Sequence, residues 1–261
     1  MTTVLCVPQC EGSASAKAPF LAQGAHRTAE FLRADAVVTV PVATGGFEVT
    51  DGIRARGVLV ENLRLTAEAL AEIDDFVITV GGDCGVDMAP VTAARQRYGD
   101  DLTVLWIDAH PDSYGPGDLA SGAHHGMVVR TLLGDGPAQL TPAHPLTPTQ
   151  IRLVGTRAAS PVERAYLRRT GLRTYGVDEL AEAFEGLSGP TYVHVDLDVL
   201  DPTEFRSVCY GEPDGVPSSA LADLIGQLDN VVGAAITEHA PTTDDPAEAE
   251  VIRRIGAALH R

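Results

Sequence analysis

Acidic residues that follow two apolar segments are the side chains best suited to chemistry in this sequence. One motif, Asp-x-His-x-Asp, supplies Asp108, His110 and Asp112, and a second motif, Asp-x-Asp, supplies Asp196 and Asp198. Because side chains at alternate positions of an extended segment lie on the same side, each set can turn toward one point. Carboxylates and imidazoles gathered in this way bind divalent cations.

Either motif alone has an ordinary structural reading, since a single Asp-x-Asp after a strand is commonly a cap for the next helix. The two motifs together change the balance. Burying four or five carboxylates side by side costs several kcal/mol per charge unless cations compensate them. The pair of motifs therefore predicts a site for two divalent ions.

Two other segment ends and one loop carry further candidate groups. Residues 81–85 read Gly-Gly-Asp-Cys-Gly and supply Cys84, and a later apolar segment ends in Glu238. Residues 121–126, Ser-Gly-Ala-His-His-Gly, place a histidine pair in a glycine-flanked loop suited to proton transfer. Each is weak alone, since Gly-Gly-Asp is a common turn and a histidine pair is commonly a solvated loop.

Eight short apolar segments that must position these groups alternate with seven amphipathic ones. The predicted strands lie near residues 2–7, 36–42, 76–81, 102–107, 150–154, 172–176, 191–197 and 231–237. The predicted helices lie near residues 18–33, 53–73, 86–98, 161–170, 178–185, 217–228 and 245–258. This alternation predicts an α/β fold with a parallel sheet covered on both faces. In such sheets ligands bind beyond the carboxyl ends of the strands, where all the candidate groups fall.

Composition narrows the function classes. A formal net charge of -17 over 261 residues argues against a partner with a nucleic acid backbone. No apolar segment reaches membrane-spanning length, and the first residues lack the pattern of a signal peptide. Four scattered cysteines do not form a disulfide framework. We expect a single domain over residues 1–261 and a cytoplasmic, soluble protein with no membrane partner.

The order of the motifs resembles the ureohydrolase family, which comprises arginases, agmatinases and formimidoylglutamases. Gly-Gly-Asp-Cys-Gly, Asp-Ala-His-Pro-Asp, Ser-Gly-Ala-His-His-Gly, Asp-Leu-Asp-Val-Leu-Asp-Pro and Glu-His-Ala-Pro follow one another along nearly the whole chain. The resemblance implies a three-layer α/β/α fold with an eight-stranded parallel sheet, as one arginase-like metallohydrolase domain.

The same resemblance implies a site with two Mn²⁺ ions joined by a hydroxide. The implied metal ligands are Asp108 and Asp196 as bridges, Cys84 and Asp112 on one ion, and His110 and Asp198 on the other. By the same resemblance His125 shuttles protons to the leaving amine, and Glu238 holds the cationic end of the substrate.

The implied reaction is hydrolysis of a C–N bond in a guanidino or amidino compound, releasing urea or a related product. The enzyme would act on linear amidines, and its partner would be a small cationic substrate. The family also implies a homo-oligomer, either a trimer or a hexamer.

Cys84 departs from the family, which commonly has histidine at this position. A thiolate is softer than an imidazole, so it suits zinc, iron or nickel better than manganese. Three readings stay open: Cys84 binds metal in a specialised subgroup, it lies beside a single-metal site, or it marks a degenerate enzyme.

The predicted substrate loops also depart from arginases. Tyr114 and Ala123 stand where arginases carry asparagine, and Arg157 is followed by Ala-Ala-Ser in place of acidic residues. L-Arginine itself is therefore not the expected substrate, and other guanidino and amidino compounds of the family stay open. We expect Tyr114, Ser121 and Tyr210 to line the substrate pocket, Tyr210 as part of a distinctive segment at 203–216.

Two alternatives belong to other classes. Cys84 and the altered loops are compatible with a catalytically silent or single-metal protein that has a binding or regulatory role. The pair His124-His125 is compatible with a deacetylase on a related scaffold, but such enzymes use one zinc ion, and Asp112 and Asp198 speak against it. His194, inside a predicted strand, is read as a core histidine with a buried partner rather than a ligand.

Overall fold

A parallel sheet of eight strands forms the centre of the protein, whose computed structural model describes residues 1–260. In chain order the strands of these residues are β1 (Thr2–Val7), β2 (Ala36–Thr39), β3 (Val49–Thr50), β4 (Ile53–Arg54), β5 (Phe76–Gly81), β6 (Thr103–Ile107), β7 (Ile151–Val154), β8 (Arg173–Tyr175), β9 (Thr191–Asp196) and β10 (Val231–Thr237). The helices are α1 (Ala18–Phe31), α2 (Arg56–Ala71), α3 (Met88–Tyr98), α4 (Val128–Leu132), α5 (Pro161–Thr170), α6 (Leu180–Phe184), α7 (Ser218–Gly226) and α8 (Pro246–Leu259). Strands β3 and β4 pair with each other as a small antiparallel hairpin.

The strand order across the sheet is β2-β1-β5-β10-β9-β6-β7-β8, and every neighbouring pair is parallel. The last strand of the chain, β10, lies in the middle and separates β5 from β9. All eight predicted sheet strands and all seven predicted helices are present. The α/β prediction from the alternating segments is confirmed.

Alternate residues of the central strands face opposite layers of helices. On β6, Leu105 and Ile107 pack into a core shared with α1, α6, α7 and α8, whereas Val104 and Trp106 pack into a core shared with α3, α4 and α5. Helix α2 packs over β1 in a further cluster on the side of α3. The three-layer arrangement follows from strands that are apolar on both faces, and it is confirmed.

Helix α5 shows how local sequence sets an element. Ser160 caps its first turn by accepting a hydrogen bond from the Glu163 N–H, and the Glu163 carboxylate accepts one from the Ser160 N–H. Pro161 suits the first helical position, and Gly171 ends the helix in the left-handed region at φ 70°. Such a cap contributes about 1 kcal/mol.

Helix α2 begins later than predicted, at Arg56, because the hairpin β3–β4 occupies residues that the amphipathic pattern assigned to the helix. A left-handed residue, Ala55, at φ 51°, joins the hairpin to the helix. Among residues 1–260, no helix is both long enough and apolar enough to cross a membrane.

The carboxyl ends of four neighbouring strands meet at one edge of the sheet. The parallel register pairs Thr237 of β10 with Asp196 of β9, and Val195 of β9 with Ile107 of β6. Strand β5 ends at Gly81 on the other side of β10. The residues that follow these strands are therefore brought to one place.

Candidate active site

An acidic floor lies at this edge of the sheet. We use the name for the seven side chains that the strand ends bring together: Cys84, Asp108, His110, Asp112, Asp196, Asp198 and Glu238. Six of the seven are at most 5% exposed, and His110 is the partly exposed member. Most of this set comes from the two motifs that the sequence singled out.

Two hydrogen bonds fix the orientation of the Asp108 carboxylate. Trp106, two residues earlier on the same face of β6, donates its indole N–H to Asp108 Oδ2 at 3.1 Å. The backbone N–H of His110 donates to Asp108 Oδ1 at 2.6 Å. The carboxylate is thus held at the strand end with little freedom to rotate.

His110 lies between carboxylates. Its Nδ1 is 3.0 Å from Asp198 Oδ2 and 3.5 Å from Asp108 Oδ1, while its Nε2 is 3.6 Å from Glu212 Oε1. Burial alone would lower the pKa of His110, but the carboxylates of Asp198 and Asp108 raise it above the ordinary value. Without a metal ion, these carboxylates therefore favour the protonated form of His110.

The end of β9 turns its two aspartates toward β6 and β5. Asp196 Oδ1 accepts a hydrogen bond from the Asp198 N–H at 2.8 Å, which closes a short turn of 3-10 helix after the strand. Asp198 Oδ1 accepts from the Ala109 N–H at 3.3 Å, and this links β9 to the motif of β6.

Cys84 begins the turn after β5 and is 1% exposed. Its Sγ lies 3.0 Å from Asp196 Oδ2 and 3.4 Å from Thr237 Oγ1. Burial and the surrounding acids, first Asp196 and then Asp112, raise the pKa of the thiol well above its ordinary value. Without a cation the sulfur therefore keeps its proton.

Two floor residues have left-handed backbone that glycine normally adopts. Asp112 has φ 45° and Glu238 has φ 64°, a conformation that costs a non-glycine residue about 1 kcal/mol or more. Each also has a buried carboxylate oxygen without a hydrogen-bond partner among residues 1–260, Asp112 Oδ2 and Glu238 Oε2. Strained backbone that presents unpaired acceptors is typical of a binding site.

Glu238 and His125 form a pair at the side of the floor. Glu238 Oε1 lies 3.0 Å from His125 Nδ1 and also accepts from the Cys84 N–H at 3.3 Å. Burial would lower the pKa of His125, but the Glu238 carboxylate raises it above its usual value. The neighbouring His124 points elsewhere, with Nε2 3.4 Å from Thr131 Oγ1, and burial lowers its pKa to about 4.

The acids of the floor repel one another strongly. Burial and then the Asp108 charge raise the pKa of Asp112, while burial and then Asp198 raise that of Asp196. The pKa of Asp198 rises to about 6, mainly through burial. Burial without a cationic partner favours the neutral form of these aspartic acids. Divalent cations bound beside them would favour the ionised form.

The floor fits divalent metal ions on two structural grounds. The buried oxygen Asp112 Oδ2, which has no hydrogen-bond partner among the described residues, is one. The other is that ligand atoms lie within 4.8 Å of one another in three groups of described residues: Cys84 with Asp196 and Glu238, Asp108 with His110 and Asp198, and Cys84 with Asp108 and His194. Asp112 belongs to none of these three groups of residues 1–260, although its carboxylate faces the same floor.

A cavity of about 320 Å³ opens above the floor, and loops form the rest of its lining. We call this lining the loop wall, made of residues 113–126, 157–163 and 203–216. The predicted substrate contacts Tyr114, Ser121 and Tyr210 all line the cavity, as do His125 and Glu238. The Tyr210 ring centroid is 5.6 Å from that of His125 and 6.4 Å from that of His110.

Arg157 stabilises the part of the loop wall that carries Tyr210. Its five N–H groups all donate to backbone carbonyls, at distances from 2.8 to 3.2 Å. The acceptors are the carbonyls of Gly155, Asp198, Val199, Glu212 and Pro213. One guanidinium thus joins the end of β7, the end of β9 and the distinctive segment 203–216.

Sequence reasoning passed over Glu163. The segment after Arg157 begins Ala-Ala-Ser without an acidic residue, yet Glu163, three residues after Ser160, lines the cavity at 2% exposure. Its carboxylate accepts from the N–H groups of Ser113 and Ser160, and burial raises its pKa. The Ser-x-x-Glu capping pattern placed Glu163 in the first turn of α5, which was the available signal.

Comparison with known proteins decides the family. A model of the arginase family matches residues 22–259. The chain belongs to the arginase family. The resemblance to the ureohydrolases, drawn from the order of the motifs, is thereby confirmed.

Individual members of the arginase family are distant in sequence. An arginase of Staphylococcus aureus is 31% identical over 201 residues, covering 69% of this chain and 66% of that protein. An arginase of Coccidioides posadasii is 28% identical over 211 residues, and the match spans 71% of this chain but only 65% of the fungal protein. The chain therefore accounts for just under two thirds of that relative.

Solved structures agree in architecture. The arginase of Bacillus caldovelox superimposes with a TM-score of 0.87 at 21% identity, covering 99% of this chain and 97% of that one. At this identity the likeness shows the fold. The arginase-family fold is thus established for the chain, while the roles of single metal ligands and catalytic residues stay predictions that the geometry supports.

Proposed function

We propose that the protein is a metal-dependent hydrolase that cleaves a C–N bond of a guanidino or amidino compound and releases urea or a related product. The observation that carries the proposal is the acidic floor, in which two motifs from adjacent strands bring ionisable ligands within 4.8 Å in a buried site. Membership of the arginase family supports the same reaction class and does not favour a catalytically silent protein.

The metal chemistry belongs to the floor. Two divalent ions held there would supply an acidified water as the nucleophile near neutral pH. The residues that would hold the ions are Asp108, Asp196, Cys84, Asp112, His110 and Asp198. Manganese is the proposed metal, with zinc, iron or nickel as alternatives because Cys84 is a soft ligand.

His125 is positioned to move a proton. It borders the cavity, and its Nδ1 is paired with Glu238 Oε1 at 3.0 Å. The Glu238 carboxylate raises the pKa of His125, which favours the protonated imidazole as the proton donor to the leaving amine. His125 lies at the side of the floor, beside the proposed metal site, and is not one of the proposed metal ligands.

The lining of the cavity favours a cationic substrate. Its ionisable members are carboxylates, two histidines and two tyrosines, and no lysine or arginine of residues 1–260 lines it. Glu238 Oε2 is free to pair with a guanidinium or amidinium group. We propose a small cation of this type as substrate, and cytoplasm as its place of conversion.

The test combines metal analysis with a substrate panel. Protein purified without chelator should contain divalent metal, and protein loaded with Mn²⁺ should hydrolyse at least one of a broad panel of guanidino and amidino compounds, detected by urea or ammonia release. Absence of turnover across the panel in protein that demonstrably binds two ions would count against the reaction.

A further inference from the structure

A buried acid–histidine pair lies directly beneath the acidic floor. Asp87 Oδ2 is 2.9 Å from His194 Nδ1, and both residues are 0% exposed. Asp87 Oδ1 accepts a hydrogen bond from the Tyr192 hydroxyl. The His194 ring stacks on Trp106 with centroids 3.5 Å apart and planes at 5°. His194 thus has the buried partner that its sequence position suggested, and its ring is fixed on every side described.

The free edge of this histidine points toward the floor. His194 Nε2 lies 3.5 Å from Thr237 Oγ1, and the same hydroxyl lies 3.4 Å from Cys84 Sγ. The sulfur is in turn 3.0 Å from Asp196 Oδ2. A continuous chain of buried polar contacts therefore runs from Asp87 to the one ligand that departs from the family.

We propose that Asp87 and His194 are positioning residues that act through the Thr237 hydroxyl to orient the Cys84 sulfur toward the metal position formed with Asp108 and Asp196. The inference rests on the proposed metal site but not on the identity of the substrate.

The physical reason is rotational freedom. A cysteine side chain has three staggered positions at χ1, and only one of them directs the sulfur at a given point. The Thr237 hydroxyl can accept from a thiol or donate to a metal-bound sulfur, because a hydroxyl is both donor and acceptor. The hydroxyl has one hydrogen, which goes either to the sulfur or to one of two acceptors, His194 Nε2 and the Val195 carbonyl, each 3.5 Å away. Thr237 can therefore contact the sulfur in either state, while the neighbouring His194 ring limits where its oxygen lies.

Outer partners of this kind matter for metal binding. Side chains that hydrogen-bond to metal ligands commonly fix ligand orientation, and their loss typically lowers metal affinity by about 10- to 100-fold. Most of the surrounding cluster is apolar, including Met88, Val91 and Leu153. A merely structural role for the Asp87–His194 pair would leave the sulfur–metal bond unchanged.

The test uses Co²⁺ as a spectroscopic probe, because a cobalt–thiolate bond gives a charge-transfer band in the near ultraviolet. Full-length protein binds Co²⁺ with this band, and Cys84→Ser identifies the band by removing it. The expected result for Thr237→Val and His194→Gln is a shifted or weakened band with cobalt affinity about tenfold lower in chelator competition. Asp87→Asn should act in the same direction.

A matched control is available elsewhere in the fold. Thr28 Oγ1 contacts His239 Nδ1 at 3.0 Å in a second buried threonine–histidine pair, and neither side chain contacts Cys84. Thr28→Val should leave the cobalt band and affinity unchanged. Thr237→Val keeps the shape of the side chain, so it provides the test even where His194→Gln impairs folding.

The outcomes separate the inference from the proposed function. Wild-type band and affinity in Thr237→Val would overturn the inference. The same holds if His194→Gln abolishes cobalt binding while Thr237→Val does not, since His194 would then be a direct ligand. Failure of the wild-type protein to bind any cobalt would overturn the proposed metal site as well.

Discussion

The acidic floor and the loop wall are held by different means. Floor side chains follow strands β5, β6, β9 and β10, whose parallel register fixes their spacing. The loop wall is held by side chains that reach back to the backbone, with Arg157 bonded to five carbonyls and Glu163 to two N–H groups. Under the proposed function, the rigid floor would hold the metal ions and the wall would select the substrate.

Removing a shared floor ligand should have the largest effect. Asp196→Ala should abolish binding of at least one ion and lower turnover by about a thousandfold, because metal ions supply several kcal/mol of transition-state stabilisation. Metal analysis and urea release measure both effects. Asp201→Asn is the matched control, since this partly buried carboxylate of the same motif accepts from its own turn at Thr203 and from the Gly215 N–H, and it does not line the cavity. Equal losses of metal content and turnover in both variants would contradict the proposed role of Asp196 as a metal ligand.

His125→Asn should lower turnover by about a hundredfold while leaving metal content unchanged, because proton transfer contributes about that much. The companion variant His124→Asn should reduce stability more than turnover, since His124 is buried against Thr131 and does not line the cavity. Steady-state rates and thermal unfolding distinguish the two. A large loss of turnover in His124→Asn but not in His125→Asn would show that His124, and not His125, transfers the proton.

Cys84→His should change metal preference without dismantling the floor. An imidazole is harder than a thiolate, so we expect manganese to gain about tenfold over zinc in competitive loading. Metal content of protein loaded from mixed solutions is the measurement. Unaltered selectivity would mean that the sulfur does not bind the ion.

A change in the wall should affect KM more than kcat. Arg157→Lys replaces five donors by three, so the segment that carries Tyr210 should loosen, and KM should rise by about tenfold as one or two hydrogen bonds are lost. Arg173→Lys is the control, because Arg173 donates to the Thr149 carbonyl and neither residue lines the cavity. A matching fall in kcat at constant KM would place Arg157 with the floor instead.

A separate effect concerns stability and lies outside the cavity. Burial lowers the pKa of His239 from 6.5 to about 4, so the folded state keeps this imidazole neutral while the unfolded chain takes up a proton. The stability from neutral His239 is present above pH 6.5 and is lost as the pH falls toward 4. In His239→Gln, the slope of unfolding free energy against pH should decrease by about 1.4 kcal/mol per pH unit in that window. Urea unfolding across the window measures it, and identical slopes would contradict the prediction.

The fold and the floor could be predicted because both depend on local patterns. Apolar segments followed directly by Asp108 or Asp196 identify strand ends, and parallel strands place their ends together. The wall could not be predicted in the same way. Glu163 reaches the cavity from a helix cap, and Arg157 depends on carbonyls more than forty residues away. Such contacts have no period in the sequence.

The hairpin β3–β4 shows the same limit at the level of elements. Its strands have two residues each, so an amphipathic pattern that continues into α2 conceals them. The contact between Cys84 and Thr237 likewise joins residues far apart in the chain. The substitution at Cys84 was visible in the sequence, but the pair Asp87–His194 behind it required the fold.

The central position of β10 has a consequence for biosynthesis. Until residues 231–237 emerge from the ribosome, the chain can form only two partial sheets, β2-β1-β5 and β9-β6-β7-β8, with an open slot between them. Pairing across that slot has a long sequence separation and is correspondingly slow. Cys84 would then meet Asp196 only after β10 inserts, so a nascent chain stalled before β10 exposes two unpaired strand edges, the kind of surface that favours aggregation.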